Sequence, residues 1–178
     1  MRKVKIFIIN LKRSTDRKEK LQRHIDALFA ADESLQKHLE FNFFEAFDAQ
    51  KGEHLAFSEH FNDKGSKLIR GALSDSEKAC FASHFALWQR CVELNEPLII
   101  LEDDIVFKPN FAQGVAKLAA SPFEFVRLMA LKKIKSYEML NENIMITFKR
   151  ASGMQGYFAP KCRAKTHRKS AIFYLRAR

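Results

Sequence analysis

Three adjacent carboxylates, Glu102-Asp103-Asp104, follow directly on the apolar run Leu98-Ile99-Ile100-Leu101. Like charges this close repel one another, and burial raises their pKa unless a cation compensates. Oxygen-only ligands suit Mg²⁺ or Mn²⁺, which also bind phosphates. If 98–101 is a central parallel strand, the triplet stands at its carboxyl end, where open α/β sheets take ligands. In extended geometry Glu102 and Asp104 point to one side and Asp103 to the other. One pair can then hold a metal while the third residue orients a sugar or a basic side chain. The same triplet also reads as a solvated turn with one Asp capping a nearby helix.

A second group is Asn10-Leu11-Lys12-Arg13-Ser14-Thr15-Asp16-Arg17, between a strand-like run and a helical one. A βα turn at a helix N-terminus can take an anion. Arg13 and Arg17 have the planar fork that grips a diphosphate. The alternative is a helix cap flanked by solvated charges. No glycine-rich phosphate fingerprint is present, which argues against a dinucleotide-binding βαβ unit or a P-loop. Ser83-His84 forms the third group. His84 shares a helical face with Cys80, Trp88 and Cys91, which reads as a hydrogen-bonded core histidine. No zinc-ligand spacing is recognised around it. His54 and His60 lie in a polar stretch and carry less. No Gly-x-Ser-x-Gly elbow appears.

The elements that must position these groups alternate between strand and helix. Val4–Leu11 is a β-rich apolar run that reads as the first strand. Ser14 is placed to cap a helix whose apolar spacing, Leu21, Ile25, Leu28 and Phe29, spans Arg17–Phe29. Phe41–Phe47 is strand-like. Asp48–Gly71 reads as a long loop or a short-helix region over a site. Ser74–Leu94 is the clearest helix, opened by a Ser74/Glu77 capping box. Pro97 precedes the strand 98–101. Phe111–Ala119 reads as helix and Phe123–Leu128 as strand. Lys132–Arg150 is ambiguous, with a hairpin placed around Asn141-Glu142-Asn143. This alternation predicts an α/β sandwich with a mainly parallel sheet.

The charge is segregated. The chain has 178 residues and a formal net charge of +10. Residues 1–23 carry nine Lys/Arg and two acids, and residues 161–178 carry seven Lys/Arg and none, so each end contributes +7. The segment between, 24–160, has fifteen Lys/Arg and nineteen acids, a net of −4. A basic skin over the whole domain is therefore excluded. The ends also lack the interleaved aromatic platforms of RNA-binding surfaces. Three cysteines, Cys80, Cys91 and Cys162, read as reduced thiols in a cytosolic protein. Cys80 and Cys91, on one helix, stand ~16 Å apart by helical rise, too far for a disulfide. No apolar run reaches the ~18 residues of a membrane span.

Taken in order, several segments resemble glycosyltransferase family 25, the lipopolysaccharide and lipooligosaccharide sugar transferases. Ile8–Ser14 with Asp16-Arg17 is similar to the family's opening Asn-Leu-x-Arg-Ser-x-x-Arg motif. Glu45-Ala46-Phe47-Asp48-Ala49 is similar to its Ala-x-Asp-Gly turn, with Ala49 for Gly. Ala79-Cys80-Phe81-Ala82-Ser83-His84 with Trp88 resembles its Gly-Cys-x-x-Ser-His helix, with Ala79 for Gly. Leu98–Asp104 matches its acidic motif. Ser152-Gly153-Met154-Gln155-Gly156-Tyr157 resembles its Gly-Thr-x-Gly-Tyr strand, with Met154 for Thr.

The resemblance implies a GT-A-like three-layer α/β sandwich. It implies a UDP-sugar donor, most often UDP-galactose, and inverting transfer to a lipid-linked oligosaccharide acceptor. It makes Asn10, Arg13, Arg17, Asp48, Ser83 and His84 nucleotide-sugar candidates. It makes Glu102, Asp103 and Asp104 ligands of a divalent cation, Mn²⁺ or Mg²⁺. It assigns no catalytic base. A lipid-linked acceptor implies a cytoplasmic protein with peripheral contact at the inner face of the membrane, and no nucleic-acid partner. The match covers residues 4–160, taken as a donor-binding domain, and then fades. The basic segment 161–178 reads as an atypical tail, so a truncated or frame-shifted reading frame is expected, with the C-terminal part of the fold incomplete and transfer weak or lost. Two other classes compete. One is a nucleic-acid or anionic-surface binder using the basic ends. The other is a Mg²⁺-dependent phosphohydrolase using the same triplet.

Overall fold

The computed structural model describes residues 3–61, 72–119, 125–128, 137–139, 144–147, 155–159 and 170–173. The opening strand-like run forms β1 (Val4–Asn10), and its apolar residues Ile6 and Ile8 are fully buried. Helix α1 (Thr15–Ala31) follows, turning Leu21 and Ile25 into the core. Ser14 is its N-cap residue, but its side chain makes no capping bond. Its carbonyl instead accepts from the Asn10 side chain and the Lys18 amide. The helix thus starts on a backbone turn tied to Asn10 rather than on a hydroxyl cap.

After one turn of 3₁₀ helix, β2 (Leu39–Glu45) pairs parallel with β1. The described part of the polar stretch after it, residues 48–61, takes the short-helix form of the two expected. Asp48 caps a short 3₁₀ turn at Ala49–Lys51, and a second runs over Glu53–His60. Gly52 joins them at φ 70°, in the left-handed region that glycine adopts without a Cβ penalty. Residues 62–71, with Gly65 and Gly71, lie outside the described residues. Helix α2 (Asp75–Leu94) begins with the full Ser74/Glu77 capping box and ends at Asn95, at φ 51°. Strand β3 (Leu98–Glu102) pairs parallel with the other edge of β1. Helix α3 (Phe111–Ala119) comes next.

Five further strands complete the sheet: β4 (Phe125–Arg127), β5 (Tyr137–Met139), β6 (Ile144–Thr147), β7 (Gly156–Ala159) and β8 (Ser170–Phe173). The order is β2-β1-β3-β7-β4-β8-β6-β5. The sheet is parallel through β2-β1-β3, and β7 then enters antiparallel between β3 and β4. The β5–β6 pairing, Met139 opposite Met145, is the hairpin expected around residues 141–143. Those turn residues themselves lie outside the described set. Within the basic segment 161–178, β8 pairs with β4 and β6. Cys162 and the rest of that segment lie outside it.

Side-chain alternation divides the core in two. Ile6, Ile8, Ile99 and Leu101 face one side and pack with Leu21 and Ile25 of α1 and Phe111, Val115 and Leu118 of α3. Leu98, Ile100, Tyr157 and Ala159 face the other and pack with Leu87 and Cys91 of α2. The result is the expected α/β sandwich of three layers. Gly156 lies opposite Leu101 where β7 pairs with β3, and a Cβ there would stand 3.0 Å from the Leu101 side chain, which would have to give by a few tenths of an ångström. The Cys91 thiol donates to the Glu96 carbonyl, and Cys80 is exposed. Among the described residues, no helix is long and apolar enough to cross a membrane.

Ile99, with no exposed surface, lies in the centre of this packing. Ile99→Ala is expected to cost about 2–5 kcal/mol of unfolding free energy, read as a lower urea midpoint at unchanged slope. Val106, 61% exposed after β3, serves as control; Val106→Ala is expected to stay within about 0.5 kcal/mol.

Candidate nucleotide-sugar site

Parallel pairing brings the carboxyl ends of β1, β2 and β3 to one edge of the sheet. Asn10 stands opposite Glu45, and Ile9 opposite Glu102. Strand alternation then sorts the acidic triplet. Glu102 continues the series Leu98, Ile100 and points to the α2 side. Asp103 points to the α1 side, as Ile6, Ile8 and Asn10 do. Strand β3 ends at Glu102 and residues 103–104 form a turn, so Asp104 is exposed and is not held by the pleat.

Asp103 is the most constrained of the three. Its Oδ2 accepts from Asn10 Nδ2 at 2.7 Å, and its Oδ1 lies 3.2 Å from Arg17 Nη1. Asn10 is buried and donates to the Ser14 carbonyl as well, at 3.1 Å. One amide therefore fixes both the start of α1 and the middle carboxylate. Arg13 takes a different partner, the buried Asp48 carboxylate. Asp48 also accepts from the Gln50 amide at 2.9 Å, and its own amide donates to Glu53 at 2.7 Å. The two arginines of the opening motif thus each face a separate carboxylate.

Asp104 is different. Its carboxyl is pushed above the ordinary value of 3.8, by partial burial first and then by the charges of Glu102 and Asp103. The Arg17 charge lowers it only in part, and no Lys or Arg stands within ion-pair distance of it among the described residues. Glu102 and Asp104 are thus the two oxygen-donor side chains of the triplet without an Arg or Lys ion pair, while Asp103 is paired with Arg17. Hard oxygen donors with excess negative charge fit Mg²⁺ or Mn²⁺.

Ser83 and His84, adjacent on α2, do separate things. Ser83 is buried, donates to the Ala79 carbonyl at 2.8 Å and accepts from the Phe47 amide at 3.0 Å. It pins the segment carrying Asp48 onto α2. His84 is a buried, hydrogen-bonded histidine, as its apolar face suggests. Its Nδ1 lies 2.9 Å from the Tyr157 hydroxyl and its Nε2 3.3 Å from Glu102 Oε1. Trp88 Nε1 donates to the same hydroxyl at 2.7 Å. Burial raises the Tyr157 phenol well above its usual range.

The structure adds a convergence that the sequence did not show: Cys80 Sγ, a ring nitrogen of His84 and a Glu102 oxygen lie within 4.8 Å of one another. Helical i, i+4 spacing supplies the first two. The third arrives from β3, which packs against α2 across eighteen residues of sequence. Sequence reasoning also missed Tyr157 and Trp88 as partners of the site. The Gly156-Tyr157 pair was a signal, but only the antiparallel insertion of β7 beside β3 gives it meaning. His54, placed in a polar stretch, is 2% exposed, with Nε2 3.5 Å from Asp75.

A family model described as glycosyltransferase family 25 (LPS biosynthesis protein) matches residues 3–172. The lipooligosaccharide biosynthesis protein lic2B of Haemophilus influenzae is 33% identical over 112 residues, covering 62% of this chain and 37% of its own. A glycosyltransferase 25 family member of Aedes aegypti is 32% identical over 122 residues, 64% of this chain and 18% of its own. Procollagen galactosyltransferase 2 of Mus musculus is 28% identical over 123 residues, 64% and 17%. The matched region thus spans well under half the length of these relatives.

Two outcomes follow from the geometry. Ser83→Ala leaves the Phe47 amide without its acceptor and is expected to cost about 1–3 kcal/mol, measured by denaturant unfolding. For Asp104, a raised folded pKa means that ionisation opposes folding. Its favourable contribution is present while the acid is protonated and is lost as pH rises through the raised value. Without divalent metal, Asp104→Asn should therefore melt above wild type at pH 7. The gap should close as pH falls below the ordinary value of 3.8.

Proposed function

The chain belongs to glycosyltransferase family 25, and from that premise we propose that it takes part in transfer of a hexose, galactose in the first instance, from a UDP-sugar to a lipooligosaccharide or lipopolysaccharide acceptor, with inversion. The name of one relative, a lipooligosaccharide biosynthesis protein, supports the acceptor class, and that of another, a procollagen galactosyltransferase, supports the sugar. The observation that carries the reading is the division of labour in the triplet. Asp103 is hydrogen-bonded by Asn10 and paired with Arg17, and Glu102 and Asp104 are left for a cation.

In this reading Glu102 and Asp104 hold Mn²⁺ or Mg²⁺. The bound cation supplies charge neutralisation for the diphosphate leaving group. The protein's own part is binding and orientation. Arg17, on the first turn of α1 beside Asp103, is half-exposed and has guanidinium N–H groups to offer a phosphate. Arg13, held by Asp48, does the same from the preceding turn. Asp48 stays fixed by the Gln50 amide and so keeps Arg13 in place. The attack needs a base to take the acceptor hydroxyl's proton. Both Asp103 oxygens already carry donors, so that role is not given to Asp103. A lipid-linked acceptor would bring the protein to the inner face of the cytoplasmic membrane as a peripheral partner.

The test is calorimetric titration of UDP with and without Mn²⁺. Binding should be Mn²⁺-dependent, and Asp104→Ala should weaken it by about tenfold or more, roughly 1.4 kcal/mol. Metal-independent binding unchanged by Asp104→Ala would contradict the proposal. So would phosphate release from a generic phosphomonoester without preference for a nucleotide, which would favour a phosphohydrolase.

A further inference from the structure

Four side chains from three elements form a continuous line into the site: Trp88 and His84 of α2, Tyr157 of β7 and Glu102 of β3. The direction of each hydrogen bond follows from donor inventory. The Trp88 indole can only donate, so the Tyr157 oxygen accepts from it at 2.7 Å. Tyr157 has no exposed surface, and its own proton needs an acceptor. Among the described residues, the acceptor in reach is His84 Nδ1, at 2.9 Å. A ring that accepts at Nδ1 carries its proton on Nε2. That proton points at Glu102 Oε1, 3.3 Å away. His84 itself is 2% exposed, so water does not offer it an alternative partner.

We propose that Trp88, Tyr157 and His84 are positioning residues, a one-way hydrogen-bond chain that fixes the tautomer of His84 and through it the orientation of the Glu102 carboxylate toward the cation and diphosphate. This rests on the reading of Glu102 as a cation ligand. The arrangement is that of an outer shell, in which a buried histidine held from behind orients a ligand in front. Glu102 needs such support because it is the last residue of β3, where the ladder ends. Its neighbour Asp103 receives the equivalent support from Asn10 and Arg17 on the opposite face of the sheet. Each of the two carboxylates is thus aimed by a separate layer of the sandwich.

The convergence of Cys80, His84 and Glu102 within 4.8 Å admits a soft-metal site as the rival assignment. The hydrogen bonds favour the chain. It satisfies His84 on both nitrogens without an ion, whereas no hydrogen bond among the described residues holds the exposed Cys80 side chain toward His84.

Two measurements on the full chain test this. Long-range ¹H–¹⁵N correlation of histidine-labelled protein, without metal, should show His84 protonated on Nε2 alone. Tyr157→Phe should shift it toward a tautomer mixture. An Nδ1–H or doubly protonated ring in the wild type would overturn the chain, whether or not UDP binds. The second measurement is Mn²⁺ affinity in the presence of UDP for two isosteric variants. His84→Gln keeps a donor near the Nε2 position and should stay within about threefold of wild type. His84→Asn keeps only the Nδ1 position and should lose about tenfold or more, at a similar melting temperature. Equal loss in both would assign His84 a merely structural role. Absence of Mn²⁺ binding by the wild type, with the predicted tautomer present, would instead overturn the cation reading and with it the positioning role. One-to-one Zn²⁺ binding that shifts His84 Nε2 and protects Cys80 from a thiol reagent would overturn the proposal in favour of the soft-metal site.

Discussion

Three carboxylates at the end of one strand cannot share a site unless something separates their charges, and here the separating contact is Asn10 to Asp103. The amide gives one N–H to the Ser14 carbonyl that opens α1 and one to the Asp103 carboxylate. The first bond sets where the helix begins, and that places Arg17 on its first turn beside the same carboxylate. Placing Asn at the end of β1 therefore determines the helix entry, the arginine and the acid together. Glu102 and Asp104 remain without an Arg or Lys ion pair, and Asp104 is raised by partial burial first and then by the Glu102 and Asp103 charges.

The sheet makes this division possible. Period-two alternation at the end of β3 sends Glu102 toward α2 and Asp103 toward α1, so adjacent carboxylates meet different layers. On the α1 side the support is charged and partly open to solvent. On the α2 side it is aromatic and buried, running from Trp88 through Tyr157 to His84. The fully apolar residues 98–101 anchor the strand from which both carboxylates project. Ser83, one residue from His84, ties the Asp48 segment to the same helix. Packing and chemistry are thus shared by the same few elements.

Much of this was legible in local pattern. The apolar run ending in acids, the capping box at Ser74 and the spacing of Leu21 and Ile25 each depend on neighbours in sequence, and each appears where the pattern puts it. Asp103 facing a basic side chain was also foreseeable from alternation. The rest depends on pairing between distant segments. Nothing in Gly156-Tyr157 says that β7 inserts antiparallel beside β3, and without that the partner of His84 has no address. The Ser14 hydroxyl was a reasonable cap by residue type but makes no capping bond, and the side chain that reaches the turn is Asn10, donating to the Ser14 carbonyl. His54 sits in a polar stretch whose 3₁₀ turns bury it, and such short helices carry little periodicity to read.

Glu102 and Asp104 would hold the proposed cation, beside an Asp103 already engaged by Asn10 and Arg17. Paramagnetic broadening by Mn²⁺ in the presence of UDP tests it most directly, read residue by residue on backbone amides. Saturable broadening is expected, centred on residues 102–104 and reaching Asn10 to Arg17 and His84, with loss of the effect in Asp104→Ala. Broadening centred elsewhere in the chain, or unaltered by that substitution, would contradict it.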